Sequence, residues 1–296
     1  MDEVILPAYA TRIMRDVVTE KAESVYADVN PETFCIDPKE VERSITKKTK
    51  AIVAIHLYGN MCDMKWLREI ADKHNVGLIE NCAQYLGKDA GRNADYALFS
   101  FSITKDITCW KGGMLCSKAP LKIEPNGKKQ SIQRLKLIAG LGIEQGSRVL
   151  NPTDYVKHRG YTPVNSTLSD FQLSVLDLQR KRLDEIFDSR RMNAKKYVKS
   201  LINVTPQKAG SATYFRFAFL TKDPHMLTKW CIINGITAGR MYSFALRDAP
   251  VASYLASHMI IVPVHHKLKG SVVERIIDVV NKKTSEMGYN ASYKRR

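Results

Sequence analysis

The chain has 296 residues and a hydrophobic content of 44%, which is enough to bury a sizeable core in one large or two modest domains. Lysine and arginine outnumber aspartate and glutamate by 46 to 30, and the formal charge of +16 would attract a phosphate-bearing substrate or a nucleic acid. The sequence excludes a membrane-spanning helix, because it has no apolar run of about eighteen residues, and its start at Met1, Asp2 and Glu3 differs from a secretory signal, so we predict a cytoplasmic protein.

The first half of the chain alternates short apolar segments with amphipathic ones. Asp37 is followed by Pro38, and Asp63 precedes a segment with apolar residues at helical spacing, which predicts two helices that each begin at an aspartate cap. This alternation predicts an α/β domain with a mostly parallel sheet and right-handed crossovers. The predicted strands, all expected to be buried, are Val4 to Leu6, Ser24 to Val29 and the apolar parts of KAIVAIHLYG, VGLIEN, YALFSF and GMLCS.

The second half begins with a segment that lacks sustained periodicity. Residues 118 to 166 are predicted to form a loop-rich connection with one short helix around Ile132 to Ile138. From Ser169 the apolar spacing predicts one long helix, and beyond it TYFRFAFL and MIIVPV are predicted strands, whereas DPHMLTKWCIINGI and SVVERIIDVVNKKTSEM are predicted helices. We therefore predict a large α/β domain over 1–165, a connecting helix over 166–200 and a small α/β domain over 201–296.

Cysteine and histidine show no metal-binding pattern. The six cysteines are scattered without a CxxC pair and lie mostly in or beside apolar runs, where cysteine behaves as a small hydrophobic residue. The seven histidines include no HExxH motif. We predict reduced structural cysteines and no catalytic metal.

Polar side chains interrupt two apolar strands near their carboxyl ends, where open parallel sheets bind ligands. Hydroxyl groups beside a lysine could receive a phosphate, and a lysine in a desolvated pocket loses its proton readily enough to form a Schiff base. Taken singly, each feature is also typical of a solvated surface lysine or of turn-forming hydroxyls. The first group is Glu80, Asn81 and Gln84 in LIENCAQ, and the second is Ser100, Ser102, Thr104 and Lys105 in FSFSITK.

A set of motifs spread over nearly the whole chain occurs in an order and at spacings that match a known family. The motifs are DEVILPAY, DVNPETFCIDPKEVERSITKKTKAIVAIHLYGN, ADKHNVGLIENCAQ, FSFSITK with GGML, SDFQLSVLDLQRKRLDEI, NGITAG and IIVPVHHKL. With them the sequence resembles the DegT/StrS family of PLP-dependent sugar aminotransferases. The resemblance implies the aspartate-aminotransferase-like fold, a three-layer α/β domain with a smaller carboxyl-terminal α/β domain.

The resemblance also implies roles for individual residues. Lys105 matches the lysine that forms the Schiff base with pyridoxal 5'-phosphate (PLP) and then moves the proton, and histidine stands there in relatives that dehydrate. Ser100 matches a serine that holds the PLP phosphate, and Gln84 a glutamine that contacts the cofactor near its ring hydroxyl. Asn165 matches an asparagine that reaches the cofactor of the partner subunit, which implies a homodimer with shared active sites.

Several positions depart from the family pattern. Asn81 stands where an aspartate usually supports the protonated ring nitrogen of the cofactor, and an amide can bond that nitrogen without adding charge. Thr11 replaces an aromatic side chain that usually stacks on the ring, and Thr167 replaces an arginine. The segment that usually precedes DEVI and cradles the phosphate is expected to be absent.

Three functions remain open at this stage. The chain could be an aminotransferase that moves an amino group, from glutamate, to a keto group of a nucleotide-linked sugar in polysaccharide or glycoconjugate synthesis. It could instead be a non-catalytic relative that supports a mixed dimer with an intact paralogue. A basic nucleic-acid-binding protein is the third interpretation, although the chain has no recognisable nucleic-acid module and a solvated basic surface explains its charge.

Overall fold

The computed structural model describes residues 1–120 and 168–288. It contains two compact units, the first built from residues 1–99, 114–119 and 184–296 and the second from residues 100–113 and 120–183. The predicted helix around Ile132 to Ile138 lies outside the described residues, as does the predicted domain boundary at residue 165, so those two remain predictions. Among the helices of the described ranges, none is long and apolar enough to cross a membrane.

The larger sheet has six strands in the order β2-β1-β3-β4-β5-β6. Strands β1 to β5 pair in parallel, which confirms the predicted mostly parallel α/β architecture. Because the carboxyl ends of parallel strands meet at one edge of a sheet, β3 and β4 end side by side, with Ile55 opposite Asn81. The strands are β1 Glu3–Pro7, β2 Glu23–Ala27, β3 Thr49–Ile55, β4 Gly77–Asn81, β5 Tyr96–Ser100 and β6 Gly113–Ser117.

Strand β6 differs from the prediction, because its residues are not buried. Met114 is 46% exposed and Leu115 is 40% exposed. The strand is the last in the sheet order, so among the described residues it has a neighbouring strand on one side and none on the other. An apolar segment in the sequence therefore indicated a strand correctly but not its exposure.

The helices of the amino-terminal half are α1 Arg12–Thr19, α2 Pro38–Ser44 and α3 Met64–His74. Both predicted caps are confirmed, because the Asp37 carboxylate accepts a hydrogen bond from the Lys39 N–H and the Asp63 carboxylate accepts one from the Trp66 N–H. Helix α1 was not predicted. Its sequence has apolar residues at helical spacing, Ile13, Met14, Val17 and Val18, but it lacks the aspartate cap by which α2 and α3 were found.

The long helix predicted from Ser169 is two helices, α4 Asp170–Arg180 and α5 Leu183–Ser200. Arg180, Lys181 and Arg182 are consecutive cations where α4 ends, and Asp184 and Glu185 are acidic residues in the first turn of α5. Cations favour the carboxyl end of a helix dipole and anions favour the amino end. The charge pattern therefore fits a break at residues 181–182 better than one continuous helix.

A smaller antiparallel sheet has the order β7-β8-β9 and packs in a second apolar cluster with the carboxyl-terminal helices. The structure confirms strands at both predicted positions, and it adds β7 and α7, which were not predicted. These elements are β7 Thr205–Pro206, β8 Phe217–Leu220, α6 Pro224–Ile233, α7 Pro250–His258, β9 Met259–Val262 and α8 Gly270–Met287.

The loop that follows β3 is held against the segment that precedes β8. The Thr213 N–H donates to the Gly59 carbonyl at 2.8 Å, and the Arg216 N–H donates to the Tyr58 carbonyl at 3.2 Å. Gly59 has a φ of +87°, a conformation that favours glycine, and a Cβ atom there would clash with the backbone nitrogen of Phe215. The contact between the two segments is therefore possible because residue 59 has no side chain.

We expect Gly59→Ala to lower the free energy of unfolding by about 2 kcal/mol or more, because it adds both backbone strain and a clash with another backbone. Gly210→Ala is the matched control, since a Cβ at Gly210 meets no atom within 4 Å and its φ lies outside the strained range. Urea titration followed by circular dichroism measures both variants. Equal stability of the two variants would show that the close approach at Gly59 is unimportant.

Candidate functional site

The predicted site residues of the larger unit lie at the carboxyl edge of the parallel sheet. Asn81 is the last residue of β4 and is 9% exposed, and Gln84 follows in the next turn and is 8% exposed. Ser100 is the last residue of β5, the neighbouring strand, where the chain passes into the second unit. Asn165 and Thr167 lie outside the described residues, so their predicted roles are untested.

The amide of Asn81 is oriented by its neighbours. Its Oδ1 accepts a hydrogen bond from the Ala83 N–H at 3.0 Å, and its Nδ2 lies 3.3 Å from the sulfur of Met14. Met14 is on α1, one turn after Thr11, which stands at the amino-terminal cap of that helix. The two departures from the family pattern, at Thr11 and Asn81, therefore lie near one another, because Met14 of the helix that Thr11 begins contacts the Asn81 amide.

Gln84 joins the loop after β3 to a segment far away in the chain. Its Oε1 accepts from the Tyr58 N–H at 2.9 Å, and its Nε2 donates to the Tyr242 hydroxyl at 2.9 Å. The Tyr9 hydroxyl donates to the Tyr242 carbonyl at 3.1 Å and lies 3.0 Å from the Tyr58 hydroxyl. Because the single Tyr9 hydrogen is used for the carbonyl, Tyr58 is the donor in the bond between the two hydroxyls.

The three tyrosines of this network keep their protons. Burial raises the pKa of Tyr242 to about 12, although the bond from Gln84 acts in the opposite direction. Burial also raises the pKa of Tyr9 and of Tyr58. The network therefore consists of neutral hydroxyl groups, of which that of Tyr242 accepts from Gln84, and it offers no base near neutral pH. Sequence reasoning missed it, because Gln84 and Tyr242 are 158 positions apart.

Glu80, which precedes Asn81 on β4, forms a fully buried cluster with His56. Its Oε1 accepts hydrogen bonds from His56 Nε2 at 2.8 Å, from the Gly91 N–H at 2.9 Å and from the Cys82 thiol at 3.2 Å. The His56 and Glu80 side chains are both 0% exposed. Burial raises the pKa of Glu80, but the bond from His56 leads the effects that lower it, and the pKa lies below its ordinary value. Glu80 is therefore a buried carboxylate held by donors.

The atoms of His56, Glu80 and Cys82 that could ligate a metal ion lie within 4.8 Å of one another, a spacing that would suit such an ion. However, the Cys62 N–H donates to His56 Nδ1 at 3.1 Å, so the lone pair of a neutral imidazole is on Nδ1 and its hydrogen is on Nε2. A cation would need the electron pair at Nε2. This arrangement favours the hydrogen-bonded carboxylate over metal binding at these residues.

In the second unit, the loop after β5 carries the predicted lysine. The Ser100 and Ser102 hydroxyls lie 3.5 Å apart, and the Lys105 N–H donates to the Ser102 carbonyl at 3.0 Å. The Lys105 side chain is partly buried. Ser100 and Lys105 therefore lie in the same unit, in one short loop.

Two glutamines of α4 form hydrogen bonds to residues 108 and 109, which follow Lys105 in this loop. Gln172 Nε2 donates to the Cys109 carbonyl at 3.1 Å, and Gln179 bonds both the N–H and the carbonyl of Thr108 at 3.0 and 2.7 Å. Gln172 and Gln179 are seven residues apart, so they lie on one face of the helix. Sequence reasoning did not assign these residues, although the capping box from Ser169 to Gln172 is visible in SDFQ.

A family model for the DegT/DnrJ/EryC1/StrS aminotransferases matches residues 1–281, nearly the whole chain. The chain belongs to this family. The match confirms the resemblance found in the sequence motifs.

Two relatives illustrate how much of the chain such matches cover. The L-glutamine:2-deoxy-scyllo-inosose aminotransferase of Streptomyces kanamyceticus is 29% identical over 94% of this chain and 66% of its own length. The GDP-perosamine synthase of Vibrio cholerae is 30% identical over 73% of this chain and 56% of its own length. The chain thus spans between about half and two thirds of these relatives.

Among solved structures, the ntda protein of Bacillus subtilis with bound cofactor PMP superimposes with a TM-score of 0.75. It is 21% identical, and the match covers 96% of this chain and 68% of that protein. A likeness at this identity establishes the aminotransferase fold that the DegT/DnrJ/EryC1/StrS family shares.

Proposed function

We propose that the protein is a PLP-dependent aminotransferase that moves an amino group, from glutamate, to a keto group of a nucleotide-linked sugar. The observation that carries this proposal is the loop after β5, which carries Lys105 and two serine hydroxyls and is bonded at residues 108 and 109 to a helix of the same unit. Membership of an aminotransferase family supports it, as do the relatives named as an L-glutamine:2-deoxy-scyllo-inosose aminotransferase and a GDP-perosamine synthase.

The donor set of the loop fits a phosphate-bearing cofactor. Two hydroxyl groups 3.5 Å apart can donate to phosphate oxygens, and a lysine in the same loop supplies the amine that a Schiff base requires. Because Gln172 and Gln179 bond the backbone of residues 108 and 109, the loop is anchored to α4 beyond Lys105. Such anchoring gives a reacting group the restricted position that its chemistry requires.

The proposed roles follow the family pattern. The chemistry supplied by PLP when bound is the withdrawal of electrons from the carbon that loses its proton. Lys105 would hold the cofactor covalently and move that proton, and Ser100 would hold the phosphate. Gln84 would contact the ring hydroxyl through the second hydrogen of its Nε2, and Asn81 would bond the ring nitrogen through a neutral amide.

We also propose a cytoplasmic homodimer in which Asn165 reaches the cofactor of the partner subunit. A mixed dimer with an intact paralogue is the corresponding proposal if this chain does not bind PLP. Size-exclusion chromatography with light scattering, before and after PLP addition, measures the assembly. A monomer under both conditions would contradict a homodimer.

The experiment that tests the function is the absorbance spectrum of the purified protein with PLP, followed by borohydride reduction and peptide mapping. We expect a yellow band and a reduced adduct on the peptide that contains Lys105. The nearby Lys111, in the same loop, serves as an internal control for nonspecific reaction and should remain unmodified. An adduct on both lysines alike, or on neither, would reject the proposal and direct attention to a partner subunit.

A further inference from the structure

The amide of Asn81, at the end of β4, has a fixed orientation. Its Oδ1 accepts a hydrogen bond from the Ala83 N–H at 3.0 Å. A backbone N–H can only donate, so this bond identifies the oxygen end of the amide. The nitrogen end faces helix α1, where Nδ2 lies 3.3 Å from the Met14 sulfur. The amide therefore presents its acceptor end to its own backbone and its donor end to α1.

A turn of the chain holds the N–H that fixes this amide. The Tyr85 N–H donates to the Cys82 carbonyl at 3.0 Å, so Ala83 is the second residue of a four-residue turn directly after β4. Asparagine side chains commonly bond the backbone two residues later in such turns. Nδ2 carries two hydrogens, and the Met14 sulfur, a weak acceptor, takes one of them. The other is the hydrogen with which Asn81 can bind a ligand.

The neighbours of Asn81 in the sheet supply no countercharge for a cation. Ile55 lies opposite Asn81 on β3 and Leu98 lies opposite it on β5, and both side chains are apolar. Glu80 points to the other face of the sheet, where its carboxylate already accepts hydrogen bonds. Asn81 itself is only 9% exposed. A cation beside it would therefore lose water without gaining a carboxylate from these three strands.

Helix α1 does not supply that carboxylate either. Its charged residues are Arg12, Arg15 and Asp16. Asp16 is exposed and pairs with Arg15 at 2.6 Å, and the Arg12 guanidinium lies 4.3 Å from the centre of the Phe244 ring. Because two cations accompany the single acid, the helix that contacts Asn81 disfavours a further cation there.

We propose that Asn81 donates a hydrogen bond to the ring nitrogen of the PLP cofactor and so keeps that nitrogen without a proton. The inference rests on the proposed function and defines the electronic state in which the same site holds its cofactor. A ring nitrogen without a proton has a lone pair, and the free Nδ2 hydrogen of Asn81 is its complement. A neutral ring withdraws electrons less strongly than a protonated one, so Asn81 gives a weaker electron sink than an aspartate would.

Nitrogen-15 NMR of a bound cofactor analogue measures the protonation state directly. The probe is 4'-deoxypyridoxine 5'-phosphate labelled at the ring nitrogen, added to the full chain without PLP at neutral pH. The analogue has a methyl group in place of the aldehyde, so it cannot form a Schiff base with Lys105, and its binding is independent of that step. A titration of the free analogue gives the protonated and unprotonated reference resonances. We expect the bound resonance to match the unprotonated reference.

The variant Asn81→Asp should raise the pKa of the bound ring nitrogen by about one unit or more, because a carboxylate favours the protonated ring. Asn75→Asp is the matched control, since it adds the same charge at an exposed residue that ends α3, and it should leave the bound resonance unchanged. Ala83→Pro removes the N–H that orients the amide but keeps the turn, in which proline suits the second position. The amide can then turn over and accept from a protonated ring, so the pKa should lie between those of the parent and of Asn81→Asp.

A protonated ring nitrogen in the parent protein at neutral pH would overturn the proposal, as would a failure of the analogue to bind at millimolar concentration. Equal pKa values in the parent and in Asn81→Asp would also overturn it, because Asn81 would then not contact the ring nitrogen. A Lys105 adduct with PLP together with a protonated ring nitrogen rejects this inference and leaves the proposed function. An unprotonated bound analogue without a Lys105 adduct rejects the proposed function and leaves the donor role of Asn81.

Discussion

Replacement of Lys105 by alanine is expected to lower the rate of amino transfer from glutamate by about 10³-fold or more, because the variant loses the group that would hold the cofactor and move the proton. The measurement is the single-turnover formation of 2-oxoglutarate by protein loaded with PLP. Lys105→Arg keeps the positive charge but cannot form the covalent link, so it should be equally slow.

Lys111→Ala is the control for this pair of variants. Lys111 lies in the same loop and the change removes the same charge, but its backbone carbonyl, which accepts from the Cys109 thiol, is unaffected. We expect its rate to stay within about threefold of the parent protein, since surface charges have small effects. A Lys105→Ala variant that retained a tenth of the parent rate would exclude the proposed role of the lysine.

Replacement of His56 by alanine is expected to lower the free energy of unfolding by about 3 kcal/mol or more, from the lost hydrogen bond to a buried carboxylate and the cavity that remains. His56 is the partner of Glu80 inside the sheet, and both side chains are fully buried, so the variant leaves a carboxylate that has lost a donor. Among residues 1–120 and 168–288, Glu80 Oε2 already has no hydrogen-bond partner, which makes the bonds at Oε1 more important. Guanidinium titration at neutral pH measures the change.

His74→Ala is the matched control for His56, because His74 is exposed in the last turn of α3. Its effect should be within about 0.5 kcal/mol. If the two variants were destabilised alike, the buried bond between His56 and Glu80 would not account for the loss.

The sequence predicted those features that depend on nearby residues. The apolar runs that became β3 and β4, and the aspartates that cap α2 and α3, are local signals, and the structure confirms them. The motifs placed Asn81 and Ser100 at strand ends, where the structure has them. The spacing of apolar residues and the capping residue of a helix are both set within about ten consecutive residues, so a single sequence is enough to recognise them.

Other features depend on contacts between distant residues and could not be predicted in this way. The partner of Gln84 is Tyr242, and nothing in LIENCAQ indicates it. The exposure of β6 depends on what packs against its side chains, which the composition of GMLCS does not indicate. The break between α4 and α5 was within reach of sequence reasoning, because the basic run from Arg180 to Arg182 precedes two acidic residues.

The bonds between the two ends of the larger unit have a consequence for how the protein is made. The carboxylate of Asp28 accepts hydrogen bonds from the N–H groups of Val251 and Ala252 at the start of α7. The Gln84 side chain donates a hydrogen bond to the Tyr242 hydroxyl. A chain that emerges from the ribosome has these amino-terminal groups long before it has their partners. Closing contacts over such distances is slow. Strands β1 to β5 can pair as soon as their own residues have been made, whereas the side-chain bonds that join this half of the chain to α7 form only after synthesis has passed residue 252.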